Sequence, residues 1–281
     1  MSKAIIVTDS TCDLSEKLIK ENDIKVIPLY VSFGSEIYKD GIEINTTRLY
    51  ELVKEKKSLP KTSACSVGDF TAFFKKYLDD GYEVFYTGIG SKLSTTYNSA
   101  LLAKEELNTE KLQVSDGSNL STGTGLLALK AAKLAREGKS AKEIKEEVDK
   151  LSPNVRSKFA VESLEYLHKG GRCSGVARFF GTMARLKPVI KVEDGKLGVM
   201  AHPIGKKKAL NVMVDDIVAN KDNIHLDCVM ITHTCAEGDA EYLRKVLSEK
   251  LPGAHLETTD AGCVISSHCG KGTIGILYIM K

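Results

Sequence analysis

The chain has 281 residues, of which 42% are hydrophobic and 27% charged, the ordinary make-up of a soluble globular protein with one large or two moderate domains. A net charge of +3 is too mild for a nucleic-acid-binding surface, so no nucleic acid partner is expected. No apolar stretch approaches bilayer-spanning length, and Met1-Ser2-Lys3-Ala4-Ile5-Ile6-Val7 leads into no signal-peptide core. A cytoplasmic location follows as an expectation. The seven cysteines, at 12, 65, 173, 228, 235, 263 and 269, form no Cys-x-x-Cys and read as reduced thiols.

Ala4-Ile5-Ile6-Val7 reads as a buried strand, followed by a helix over 15–22. Residues 26–33 read as one strand, with Pro28 arguing for an edge or a strand start. Asn45 or Thr46 is placed to cap a helix over 47–57. Gly68-Asp69 opens a helix to about Asp80, in which Phe70, Phe73, Phe74, Tyr77 and Leu78 keep a period close to 3.6. Strand 84–86, helix 95–107 and strand 112–114 come next. The helix over 122–136 is rich in Ala, Leu and Gly and apolar on most sides, which predicts a central position. A charged amphipathic helix over 141–151 follows Ser140.

Strands alternating with helices predict a mostly parallel sheet flanked by helices over residues 1–153, with Ser152-Pro153-Asn154 as the boundary. The pattern then changes to α+β over 154–281. A strand over 155–161 leads to a short helix over 164–169, then a Gly-bracketed helix over 175–183. Strands 188–192 and 196–201 flank Glu193-Asp194-Gly195, a strong hairpin signal. Helix 209–219, strand 228–232, helix 238–250, strand 255–258 and a last strand from Thr273 complete the chain.

Three hydroxyl-bearing loops carry the chemistry: Thr62-Ser63; Ser91-Lys92-Leu93-Ser94-Thr95-Thr96-Tyr97; and Ser266-Ser267-His268-Cys269-Gly270. Each sits at the end of an apolar run, where ligands bind in α/β proteins. Neutral hydrogen-bond donors of this kind suit a small anion such as a carboxylate, a pure acceptor when ionised. Other chemistries leave weaker traces. Gly123-Thr124-Gly125-Leu126-Leu127-Ala128 matches a dinucleotide pattern in letters but lacks the tight turn from a strand. A serine hydrolase or acyltransferase would use Ser94 as nucleophile, His268 as base and Asp9 or Asp116 as orienter, without the usual Gly-x-Ser-x-Gly elbow. A zinc site would draw on His233, Cys235, Cys263, His268 and Cys269, whose spacing matches no usual pattern, so no metal or cofactor is expected. Taken alone, His268 reads equally as a structural histidine or a ligand contact.

The motifs Thr8-Asp9-Ser10-Thr11-Cys12-Asp13-Leu14, Thr62-Ser63 with Ser66, Ser91 to Ala100, Leu164 to Arg172, Lys187-Pro188 and His268-x-Gly270 with Gly272 together resemble the DegV family of fatty-acid-binding proteins along almost the whole chain. Thr95 stands where that family usually has Gly. Lys271 stands where it usually has Pro, and would add positive charge near the head group. The resemblance implies a long-chain fatty acid in a closed tunnel between the two domains. It implies a carboxylate held by Thr62, Ser94 and His268, with Thr95 and Arg172 nearby. It further implies a carrier with no catalysis of its own, which presents the acid to a separate ATP-dependent fatty acid kinase that makes the acyl phosphate.

The segment 175–185 has the make-up of a lid, with Gly175 and Gly181 for backbone freedom and Phe179 and Phe180 as apolar anchors. Arg178 and Arg185, within a basic stretch from Lys169 to Lys208, would meet a transient anionic membrane surface. The alternative is an ordinary core helix with solvated arginines.

Overall fold

The computed structural model describes residues 4–172 and 186–281, and the expected lid with Phe179 and Phe180 lies outside them. Strand β1 (Ala4–Asp9) is buried at all six positions, the pattern of a strand covered on both faces. It lies between β2 (Lys25–Ile27) and β6 (Glu83–Gly88), and β7 (Leu112–Asp116) completes a parallel sheet in the order β2-β1-β6-β7. On one face Val7 and Tyr86 meet Phe70, Phe74 and Ala100 of α3 (Val67–Asp79) and α4 (Thr96–Leu107). On the other, Ile6 and Phe85 meet Leu127 of α5 (Thr122–Arg136) and Ile144 of α6 (Ala141–Leu151).

A second sheet of six strands runs β10-β9-β8-β13-β11-β12. Its members are β8 (Val155–Ala160), β9 (Val189–Glu193), β10 (Lys196–Ala201), β11 (Val229–His233), β12 (Leu256–Asp260) and β13 (Ile274–Ile279). All its pairings are antiparallel except β11 with β12. The turn into β10 has Asp194 and Gly195 both at positive φ, 49° and 70°, the geometry that the expected Asp-Gly hairpin requires. α8 (Lys206–Ala219) and α9 (Glu237–Lys250) pack on one face of this sheet. α5 packs against β8 and β13 as well as β1 and β6, so it lies between the two sheets. Its glycines make that approach possible. A Cβ at Gly123 would fall 2.6 Å from Ser157 Oγ, and one at Gly125 would fall 2.6 Å from the Cys12 carbonyl. The glycines that imitate a dinucleotide motif therefore serve close packing.

A small antiparallel sheet, β4-β3-β5, flanks the first. It is built from β3 (Tyr30–Phe33), β4 (Glu36–Lys39) and β5 (Lys61–Ser63). The single strand expected over 26–33 is thus two strands in different sheets. Pro28 has no amide to give, the Leu29 amide goes to Ser10 Oγ at 3.1 Å, and the Leu29 carbonyl takes the Asp40 amide. Two further expectations change. Thr62 lies on the edge strand β5 rather than in a loop. Ser266 to Cys269 belong to the helix α10 (Cys263–Cys269). Among the described residues no helix is long and apolar enough to cross a membrane.

Candidate functional site

A cavity of about 570 Å³ opens where β6 ends and α4 begins. Thr62, Ser94, Thr95, Arg172 and His268 all line it, although they come from four separate stretches of chain. Lys92 and Lys196 line it too, and no carboxylate does among the described residues, so the local field favours an anion. Leu29, Ile89, Leu120, Leu167, Leu197 and Ile265 supply apolar wall. A small pocket of about 20 Å³ continues inward against β11 and β13 and shares Leu120, Ile265 and Cys269 with the larger one. The space is therefore polar at one end and apolar at the other.

His268 Nε2 lies 2.8 Å from Thr62 Oγ1. Its Nδ1 is buried with no hydrogen-bond partner among the described residues. An unmet N–H donor costs more than an unmet acceptor, so the proton is assigned to Nε2, which donates to Thr62. That leaves the Thr62 hydroxyl free to donate into the cavity. Burial first, and the Arg172 charge second, lower the His268 pKa to about 4, so the ring is neutral near pH 7. Gly170 is needed beside it: a Cβ there would fall 2.2 Å from His268 Nδ1.

Ser94 Oγ lies 2.8 Å from Thr96 Oγ1 and accepts the Thr96 amide at 3.3 Å. Either hydroxyl of this pair can be the donor, and with Thr96 donating, the Ser94 proton is free for a ligand. α4 starts behind Thr95 with no side-chain cap, so the positive end of a twelve-residue helix opens on the same space. Thr95 has φ −78°, a conformation open to any residue, so the loss of the family's glycine leaves no strain. Arg172 donates from Nε to the Leu93 carbonyl at 3.2 Å and from Nη1 to the Gly170 carbonyl at 2.7 Å. Its charge thus lines the cavity, with two of its five N–H donors given to backbone carbonyls. Lys271 is exposed and lies outside the cavity lining, so the expected extra charge near the head group is not there.

The supports of these groups were hidden in the sequence. Asp40 accepts the Cys263 and Val264 amides at 2.7 and 3.3 Å, and Asp13 accepts the Gly262 amide at 2.8 Å. Together they hold the start of α10, which carries His268. Burial raises both carboxyl pKa values, Asp13 well above the usual range. Asp9 accepts the Ile89 amide at 2.9 Å and the Tyr86 hydroxyl at 2.8 Å, and Asp116 accepts the Ser91 amide at 3.0 Å. These two fix the loop before α4, so both expected orienters of a hydrolytic triad are engaged with backbone and hydroxyls there. Of the conceivable zinc ligands, Cys263 and Cys269 are buried thiols, and burial pushes Cys269 up to about 12.

A parallel sheet and a mixed sheet lie on either side of a central helix, with neutral donors at the mouth of a partly apolar cavity. The model of the DegV family, described as uncharacterised proteins, matches residues 3–281, and the chain belongs to that family. It is 38% identical to a DegV domain-containing protein of Clostridium acetobutylicum over the full length of both. It is similar to a solved fatty-acid-binding DegV protein of Thermus thermophilus, with TM-score 0.93 and 32% identity over 99% of this chain and 100% of that one. A stearic-acid-binding protein of Eubacterium ventriosum matches with TM-score 0.89 and 29% identity over 100% of this chain and 99% of that one.

Proposed function

We propose that the protein binds a long-chain fatty acid, its carboxylate at Thr62 and Ser94 and its tail running inward past Leu120, Ile265 and Cys269. One observation carries the reading: hydroxyls at positions 62 and 94, far apart in sequence, line one cavity that carries cationic and apolar walls but no carboxylate among the described residues. The volume lies within the roughly 300–1,000 Å³ usual for small-molecule sites. Each methylene removed from water contributes about 0.8 kcal/mol, so the tail supplies most of the affinity and the hydroxyls fix the head. His268 acts by positioning Thr62, and Arg172 by its field. Neutral hydroxyl donors fix the head group while leaving the carboxylate a nucleophile. That supports a carrier that hands its acid to a separate kinase for acyl-phosphate formation.

An anionic membrane surface as a source of acid has less support. Its expected contacts Arg178 and Arg185 lie outside the described residues, and Lys187, Lys191 and Lys206 are paired with Glu162, Glu193 and Glu162. The hydrolase reading would need His268 on Ser94, whereas the hydrogen bonds join His268 to Thr62 and Ser94 to Thr96.

Native mass spectrometry of the purified protein should find a long-chain acid bound. Thr62→Ala and Ser94→Ala should each weaken acid binding by about 1–3 kcal/mol. Wild-type affinity in both variants would move the carboxylate elsewhere. A covalent fluorophosphonate adduct on Ser94, abolished by His268→Ala, would favour the hydrolase instead.

A further inference from the structure

Among the described residues one group of three metal-ligating side chains has its ligand atoms all within 4.8 Å of one another: His233, Glu237 and Asp260. The fold builds this group. His233 and Asp260 are paired residues at the ends of the adjacent parallel strands β11 and β12, so their side chains leave the same face of the sheet. The chain then turns through Cys235, at φ 49°, and α9 begins at Glu237, which brings its first turn back to the strand ends. The His233 side chain is 7% exposed and that of Asp260 77%. A fixed, buried imidazole thus faces carboxylates that can adjust.

The distances match a metal edge and are long for a charge-assisted hydrogen bond. His233 Nδ1 lies 3.4 Å from Asp260 Oδ1. A charge-assisted hydrogen bond would be about 2.7–2.9 Å. Two corners of a tetrahedron, each roughly 2.0–2.1 Å from a central zinc, lie about 3.4 Å apart. Nδ1 also accepts the Ala236 amide at a long 3.4 Å, which marks it as the unprotonated nitrogen that a metal needs and leaves little to give up.

We propose that a divalent first-row cation, zinc by the chemistry of its ligands, binds between the ends of β11 and β12, held by His233 Nδ1 and by the carboxylates of Asp260 and Glu237. One imidazole and two carboxylates suit zinc better than magnesium or calcium, and water completes the fourth position. The ion would staple two strand ends to α9. It would also brace the route into α10, since the Ala261 amide donates to the His233 carbonyl at 2.7 Å and α10 starts two residues later. The inference stands apart from the fatty-acid reading.

The test titrates chelator-stripped protein with zinc chloride alone, by calorimetry and by the shift in melting temperature. One zinc per chain is expected. The double variant Glu237→Gln, Asp260→Asn, altered only at exposed positions, should lose more than about tenfold in zinc affinity. It should also lose the tetrahedral visible spectrum of the cobalt-substituted protein. Equal zinc affinity in the double variant, or no uptake by the wild type, overturns the proposal. So does uptake that depends on Cys235, lost in Cys235→Ser but kept in the carboxylate variant.

Discussion

The start of α4 and the start of α10 deliver Ser94 and His268 to one cavity, yet they are held in opposite ways. At α4 the partners are nearer: Ser94 Oγ accepts an amide two residues away, Asp116 holds Ser91 across 25 residues, and Asp9 holds Ile89 across 80. At α10 the amides of Gly262, Cys263 and Val264 go to Asp13 and Asp40, between 223 and 249 residues distant. The sequence Cys263-Val264-Ile265-Ser266-Ser267-His268-Cys269 is a poor helix former, with two β-branched residues and two serines in seven. Its helix exists because remote carboxylates satisfy its first donors. One half of the site rests largely on nearer partners, and the other is a product of the finished fold.

The sharpest way to break that contrast is Asp40→Ala. Asp40 is 3% exposed and accepts from Ser10 and from two amides of α10. Its loss should cost about 2–4 kcal/mol in urea denaturation and remove acid binding with it. A variant as stable as wild type would mean that α10 supports itself.

Next in size is the pH response of His268. Its folded pKa is about 4 and its ordinary value 6.5. The unfolded chain therefore takes up the proton first. The contribution to stability is full above about pH 6.5 and shrinks as pH falls toward 4, by up to about 3 kcal/mol. Asp9, Asp13 and Asp40 have raised pKa values and act with the opposite sign. Subtracting the profile of His268→Asn cancels them. A difference that stays flat across that window would require a charged His268 in the folded protein.

The smallest effect lies on the local side. Thr95→Gly restores the residue usual in the family at a position whose φ needs no glycine and whose hydroxyl makes no cap. Unfolding free energy should change by less than about 0.5 kcal/mol, and acid affinity hardly at all. A large gain in affinity would show that the side chain crowds the head group.

What could be read in the sequence follows the same division. The helices over 122–136 and 141–151 emerge with the bounds expected, because composition and a Ser140 capping box are local signals. The alternation of strand and helix gave the parallel sheet, and Asp194-Gly195 gave the hairpin. The three residues of β5 carry no alternation to detect, so Thr62 read as loop. The Pro28 break, the α10 helix and the roles of Asp13, Asp40 and Gly170 all depend on partners that only tertiary structure supplies. The letters Thr62, Ser94 and His268 were visible, and the resemblance grouped them. The backbone amides that Asp9, Asp13, Asp40 and Asp116 hold were not.

The order of the six-stranded sheet has a consequence for synthesis. β13, the last of this sheet's strands to be made, lies in its interior between β8 and β11, and α10 immediately precedes it. A ribosome thus releases β8 and β11 as two apolar edges that cannot meet until the final strand arrives to join them. The parallel sheet can close early, whereas the cavity acquires its histidine and its back wall in the same late event. A nascent chain has only the α4 half of the candidate site, and its exposed half-sheet is the stage at which aggregation or chaperone capture competes with folding.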